Sequence, residues 1–181
     1  MTTYINIFGG PGSGKSTSAA RLFAAMKMKR MNVELVTEVA KDFVWEERDK
    51  TLSIQPYITI KQFRNLIRLD GKVDYVITDA PLLLGILYAR KYTSYLPKSY
   101  ELFVSDLHHM FLQPSLNVMI ERKYDYDVNG RNQTESEAKA LDGDLIGILD
   151  EHDVEYAFVM GDDLENFVEN KVRLPKENEN V

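Results

Sequence analysis

Along the chain, short runs of β-branched and aromatic residues alternate with longer stretches whose apolar residues recur at helical spacing. Tyr4–Phe8 (YINIF) reads as a buried strand that stops at Gly9 and Gly10. From Lys15 to Met31, Ala19, Leu22, Phe23 and Met26 share one helical face. Val33–Thr37 predicts a second strand, ended by the polar Glu38, and Val39–Arg48 a helix with Phe43 and Val44 turned inward. A helix from about Tyr57 to Leu69 stops before Gly71. Val73–Thr78 forms a third strand that delivers Asp79, with Pro81 preventing a simple continuation. A helix from Pro97 or Ser99 to about Phe111 is closed off by Pro114, and Leu116–Ile120 gives a fourth strand. After a polar interruption, Thr134 followed three residues later by Glu137 carries a capping-box signature for the next helix. Val154–Val159 and Leu164–Lys171 supply the last strand and helix. Strands alternating with helices predict an α/β domain with a largely parallel sheet.

Composition narrows this picture. At 181 residues the chain is expected to form a single domain over residues 1–172, with a polar tail at 173–181. A hydrophobic share of 44% and a charged share of 28% are those of an ordinary soluble protein. No apolar run approaches the roughly 20 residues of a membrane span, and the N-terminal MTTYINIF lacks the features of a signal peptide. The absence of cysteine excludes disulfides and thiolate zinc sites and fits a cytoplasmic location. A net charge of -6 disfavours nucleic acid as a partner.

The most informative chemistry lies between the first strand and the first helix. GGPGSGKST matches Gly9-x-x-x-x-Gly14-Lys15-Ser16, the phosphate-binding loop pattern, with its strand before it and its helix after it. Glycines let several backbone N–H groups turn inward, and the helix start adds free N–H groups and the positive end of its dipole. Gly10, Pro11, Gly12, Ser13, Gly14, Lys15, Ser16 and Thr17 are therefore expected to hold a nucleoside triphosphate, taken as ATP. Lys15 would reach the β- and γ-phosphates, Thr17 the α-phosphate, and the Ser16 hydroxyl would ligate Mg²⁺.

Carboxylates at strand ends are the next candidates, because the carboxyl edge of a parallel sheet is where ligands gather. Asp79 is placed to hold Mg²⁺ or to accept a proton from an acceptor hydroxyl; the alternative is a turn-forming aspartate before Pro81. Glu38 is placed to bind or deprotonate an acceptor hydroxyl; the alternative is an acid favoured beside a helix N-terminus. Lys41 and Asp42 either line the same pocket or are solvated. Arg122 and Arg131 flank the polar insertion, which suits a lid over residues 122–133 that brings guanidinium charge to phosphates; the alternative is two surface arginines. Asp162 follows the fifth strand, where the base of the nucleotide is usually held. His108 and His109 read as surface or core residues rather than metal ligands, and Trp45 as a packing residue, the alternative being to stack on a base.

The order FGGPGSGKST, VTEVAKD, YVITDAPLLLG, ERKYDYDVNGRNQTESEAK and VMGD resembles small P-loop kinase-like proteins often encoded by bacteriophages, grouped with AAA-type ATPases. It is also similar to the ribosylnicotinamide kinase domain of bacterial NAD-biosynthesis proteins and to nucleoside and nucleotide kinases. The resemblance implies a three-layer P-loop NTPase fold of nucleotide-kinase type, with five parallel strands in the order 2-3-1-4-5. It places Glu38, Asp79, Arg122 and Arg131 at acceptor, metal and lid positions. The function it implies is Mg²⁺-assisted phosphoryl transfer from ATP to a hydroxyl or phosphate of a nucleoside, nucleotide or related ribosyl compound. The competing readings are a kinase acting on nucleic acid, at a 5′ end or a hydroxymethylated base, and a regulatory P-loop ATPase with no small acceptor.

Overall fold

The computed structural model describes residues 1–93, 95–122 and 134–172. The elements run β1 (Thr3–Phe8), α1 (Lys15–Met28), β2 (Val33–Val36), α2 (Val39–Trp45), α3 (Asp49–Leu52), α4 (Gln55–Ile67) and β3 (Tyr75–Thr78). They continue with α5 (Leu84–Tyr92), α6 (Lys98–Phe111), β4 (Ser115–Glu121), α7 (Glu135–Glu151), β5 (Ala157–Met160), a 3-10 turn at Gly161–Asp163 and α8 (Leu164–Lys171). The strands form one sheet in the order β2-β3-β1-β4-β5, and every pairing in it is parallel.

Both faces of the sheet are covered, and the central strand shows how. Tyr4 and Phe8 of β1 enter a cluster with Leu66, Leu83, Ile86, Val104, Leu145 and Ile148, supplied by α4, the β3–α5 segment, α6 and α7. Ile5 and Ile7 point the other way, onto Ala19, Leu22 and Met26 of α1 and Leu164 and Val168 of α8. Alternation along a strand buried on both faces explains why YINIF reads as a continuous apolar run. A smaller cluster, Val39, Phe43 and Ile58, packs α2 against α4 and lies apart from the main core.

Three helices stop by the same device, which accounts for boundaries that differ from those expected. Arg30, Glu47 and Asp153 adopt φ of 57°, 54° and 54°. After α1, the Arg30 and Met31 N–H groups bond back to the Lys27 and Met26 carbonyls; equivalent pairs close α2 and α7. This is the left-handed closure usually made by glycine. This closure ends α1 at Met28 instead of Met31 and α2 at Trp45 instead of Arg48, and none of the three sites carries a glycine to mark it in the sequence. Within α2, Phe43 is buried as expected, four residues beyond Val39. Val44 is 58% exposed and Trp45 79% exposed, because the next positions rotate about 100° off that stripe. The expected inward Val44 and the packing role for Trp45 are therefore both corrected. α3 and α5 are additions to the elements delimited from the pattern, and β5 begins at Ala157 rather than Val154.

Candidate active site

The phosphate loop connects β1 to α1 at the carboxyl edge of the sheet. Gly14 precedes α1 with φ 93°, in open space, so it is the backbone angle that demands glycine there. Gly10 is required by proximity: a Cβ on it would lie 2.7 Å from Asp142 Oδ1 and 2.8 Å from the Ala138 carbonyl. No side chain caps α1 and its first turn carries no acid, so its leading N–H groups are left for an anion. Ser13 Oγ is buried in the loop without a partner. Lys15 Nζ lies across the loop and donates to the Gly10 carbonyl at 3.0 Å.

Because β3 lies between β2 and β1, the segments after these three strands are neighbours. Asp79, one residue beyond β3, is buried, and its Oδ2 accepts the Ser16 hydroxyl at 2.5 Å. Its Oδ1 is buried with no partner. An ordered hydroxyl beside an orphaned carboxylate oxygen is a donor set that suits a hard divalent cation such as Mg²⁺. Glu38, two residues beyond β2, is the residue before α2. Burial pushes its carboxyl above the usual 4.5, opposed by the Lys15 charge and reinforced by Asp79. Lys15 is pushed below its ordinary value by burial, against the pull of Glu38, Asp79 and Asp142. These shifts place Lys15, Glu38 and Asp79 within one electrostatic unit.

Beside that unit is a cavity of about 340 Å³ enclosed by the segment after β2, α3, α4 and the β3–α5 region. Among the described residues that line it, Glu38 alone is charged. Tyr88 and Tyr92 supply aromatic surface, with rings stacked at 6.2 Å and 16°. Burial, then Glu38, raises the Tyr88 hydroxyl pKa, which keeps it a neutral donor. Thr59 Oγ1 is paired with Tyr100 Oη at 2.7 Å. Gln62 is oriented by Val39, whose N–H donates to its Oε1 at 3.1 Å, and its Nε2 is buried without a partner.

Of the other expected site residues that are described, Arg122 adjoins the phosphate loop, whereas Asp162, Lys41 and Asp42 do not line the cavity. Arg122 follows β4 and is held by Asp142, with Nε on Oδ2 at 2.5 Å and Nη1 on the Pro11 carbonyl at 2.9 Å. Asp162 pairs with Arg21 of α1 at 2.9 Å on the exposed side of the 3-10 turn. Lys41 and Asp42 are exposed, although Lys41 still lowers the pKa of Glu38. Arg131 and most of the expected lid, 123–133, lie outside the described residues. Gln62 and Asp142 were missed by motif reading. Their signal is a polar residue on a core-facing stripe: Gln62 lies between Ile58 and Leu66, and Asp142 four residues after Ala138.

A parallel sheet ordered 2-3-1-4-5, with a glycine loop and uncapped helix after its central strand, defines a P-loop fold of the nucleotide-kinase type. The chain belongs to the AAA domain family, whose sequence model matches residues 4–166. No curated protein sequence matches it. Among solved structures, the NadR protein in complex with NR is similar over 98% of this chain at 14% identity and TM-score 0.63. This chain covers 54% of that one, so it spans about half its length. Deoxyadenosine kinase from M. mycoides with bound dATP is similar over 93% of this chain and 97% of that one, at 15% identity and TM-score 0.56. The same kinase with products dCMP and dCDP gives 16% identity and TM-score 0.59. At such identities the likeness establishes the fold.

Proposed function

We propose that the protein is an ATP-dependent kinase that phosphorylates a hydroxyl of a nucleoside-like molecule carrying no phosphate of its own. The observation that carries this reading is the cavity beside Lys15 and Asp79, whose described lining holds one carboxylate, Glu38, and neither lysine nor arginine. A phosphorylated acceptor entering there would meet negative charge and, among the described lining residues, no cation to pair it. A neutral or cationic heterocycle would meet aromatic walls and amide groups. The volume suits one nucleoside-sized molecule.

In this mechanism the loop N–H groups and Lys15 hold the β- and γ-phosphates and orient the γ-phosphorus toward the cavity. Ser16 and Asp79 are the residues that would hold Mg²⁺, which when bound neutralises charge on the phosphates. Glu38, made a stronger base by burial, accepts the proton of the acceptor hydroxyl as its oxygen forms a bond to the γ-phosphorus. The bond from that phosphorus to the β–γ bridging oxygen breaks, and ADP carries away the electron pair.

The test is transfer of label from [γ-³²P]ATP to a panel of nucleosides, nicotinamide riboside, deoxynucleotides and hydroxymethylated DNA. Label on a nucleoside hydroxyl, abolished in Lys15→Ala, is the expected result. Label on a nucleotide phosphate or on DNA overturns the acceptor class. Inorganic phosphate as the only labelled product across the panel overturns the kinase reading in favour of a regulatory ATPase.

A further inference from the structure

The core-facing side of α7 carries a carboxylate where its spacing calls for an apolar side chain. Asp142 stands between Ala138 and Leu145, both fully buried, and its side chain is only 18% exposed. Each of its oxygens has a separate partner. Oδ1 accepts the backbone N–H of Gly10, and Oδ2 accepts Arg122 Nε at 2.5 Å. Arg122, 15% exposed at its side chain, donates onward from Nη1 to the Pro11 carbonyl at 2.9 Å and from Nη2 to the Ala138 carbonyl at 3.2 Å.

The ion pair therefore grips two consecutive residues of the phosphate loop from its outer side, one through an N–H and the other through a C=O. Gly10 completes the fit, since a Cβ there would meet Asp142, Ala138 and Arg122 at 3.0 Å or less. Free glycine-rich backbone loses more conformational entropy on ordering than any other. A loop held in place by the surrounding fold does not have to spend binding energy on that ordering when a triphosphate arrives. The sequence suggests that Arg122 serves phosphates directly, yet its Nε, one Nη1 and one Nη2 hydrogen are directed at Asp142 and at backbone carbonyls.

We infer that Asp142 is a positioning residue of the phosphate loop, which it holds through Gly10 and, in partnership with Arg122, through Pro11. The pair contributes to nucleotide affinity as one unit, without Asp142 touching the nucleotide. This rests on the triphosphate occupying the loop, as in the function proposed above.

The test is calorimetric titration of Mg·ATP into the wild-type protein and into Asp142→Ala, Asp142→Asn, Arg122→Gln and the Arg122→Gln/Asp142→Ala double variant. Asp142→Ala is expected to weaken Mg·ATP by about tenfold, the effect of one lost charge-assisted bond. Asp142→Asn keeps an oxygen for the Gly10 N–H and falls between it and wild type. In turnover, the ATP KM rises while the acceptor KM stays put; a merely structural role would move both with the melting temperature. The double variant is no weaker than the worse single one. Wild-type affinity in Asp142→Ala overturns the inference, as does full additivity in the double variant, which would make Arg122 an independent phosphate ligand. If Asp142→Ala fails to fold, Asp142→Asn and Arg122→Gln carry the same comparison. A flat titration of the wild-type protein is a separate outcome: it overturns the nucleotide reading itself.

Discussion

Glu38 and Lys15 bring opposite charges into one partly buried unit, and burial pushes each toward its neutral form. A base must be ionised to act, and the Glu38 pKa lies above 4.5. The acceptor kcat/KM should therefore fall, as pH is lowered, at a higher pH than an ordinary glutamate would give. Glu38→Gln should lower kcat by about 10²-fold or more and remove that acid limb while sparing ATP binding; a pH–rate profile checks both, and a retained limb assigns the base elsewhere. Gln62 makes a second prediction at this scale. Gln62→Met removes the acceptor for the Val39 N–H and the unpartnered Nε2 donor, so steady-state kinetics should show the acceptor KM raised by about tenfold with the ATP KM unchanged. Lys15, Ser16 and Asp79 were legible as a group because a motif and a strand end announce them. Gln62 and Asp142 were not, since a polar residue on a buried stripe gains meaning only from what faces it.

Helix ends show how far local chemistry reaches. The box expected from Thr134 and Glu137 is formed: the Thr134 hydroxyl accepts the Glu137 N–H at 3.3 Å, and Glu137 Oε2 accepts the Thr134 N–H at 2.7 Å. Thr134→Ala should cost about 1 kcal/mol of stability, read as a lower denaturant midpoint at unchanged m-value. The cap begins the helix that presents Asp142 to the loop, so fraying from this end reaches the site only after two turns have opened. The opposite ends were less legible. Closure through Arg30, Glu47 and Asp153 leaves no glycine in the sequence to mark it, whereas α8 falls on Leu164–Lys171 as its pattern predicts.

Across the whole molecule, ligand binding and folding are linked. If the loop holds a triphosphate, Mg·ATP at 100 times its dissociation constant should stabilise the protein by about 2.7 kcal/mol, seen as a rise in melting temperature that Lys15→Ala abolishes. Among the described residues no helix is long and apolar enough to cross a membrane. The sequence by itself determined the elements that depend on neighbours in the chain: the buried central strand, the glycine loop, the capped helix and the alternation that makes a parallel sheet. These follow from periodicity, backbone angles and local hydrogen bonds, whose range is a few residues. Only the tertiary structure decided which polar groups meet. Ser16 finds Asp79 across 63 residues and Gly10 finds Asp142 across 132, and the cavity beside Glu38 is closed by segments from α3, α4 and α5. Such pairings are set by strand order and by packing on the two sheet faces, and side chains brought together from distant segments leave no period in the sequence to read.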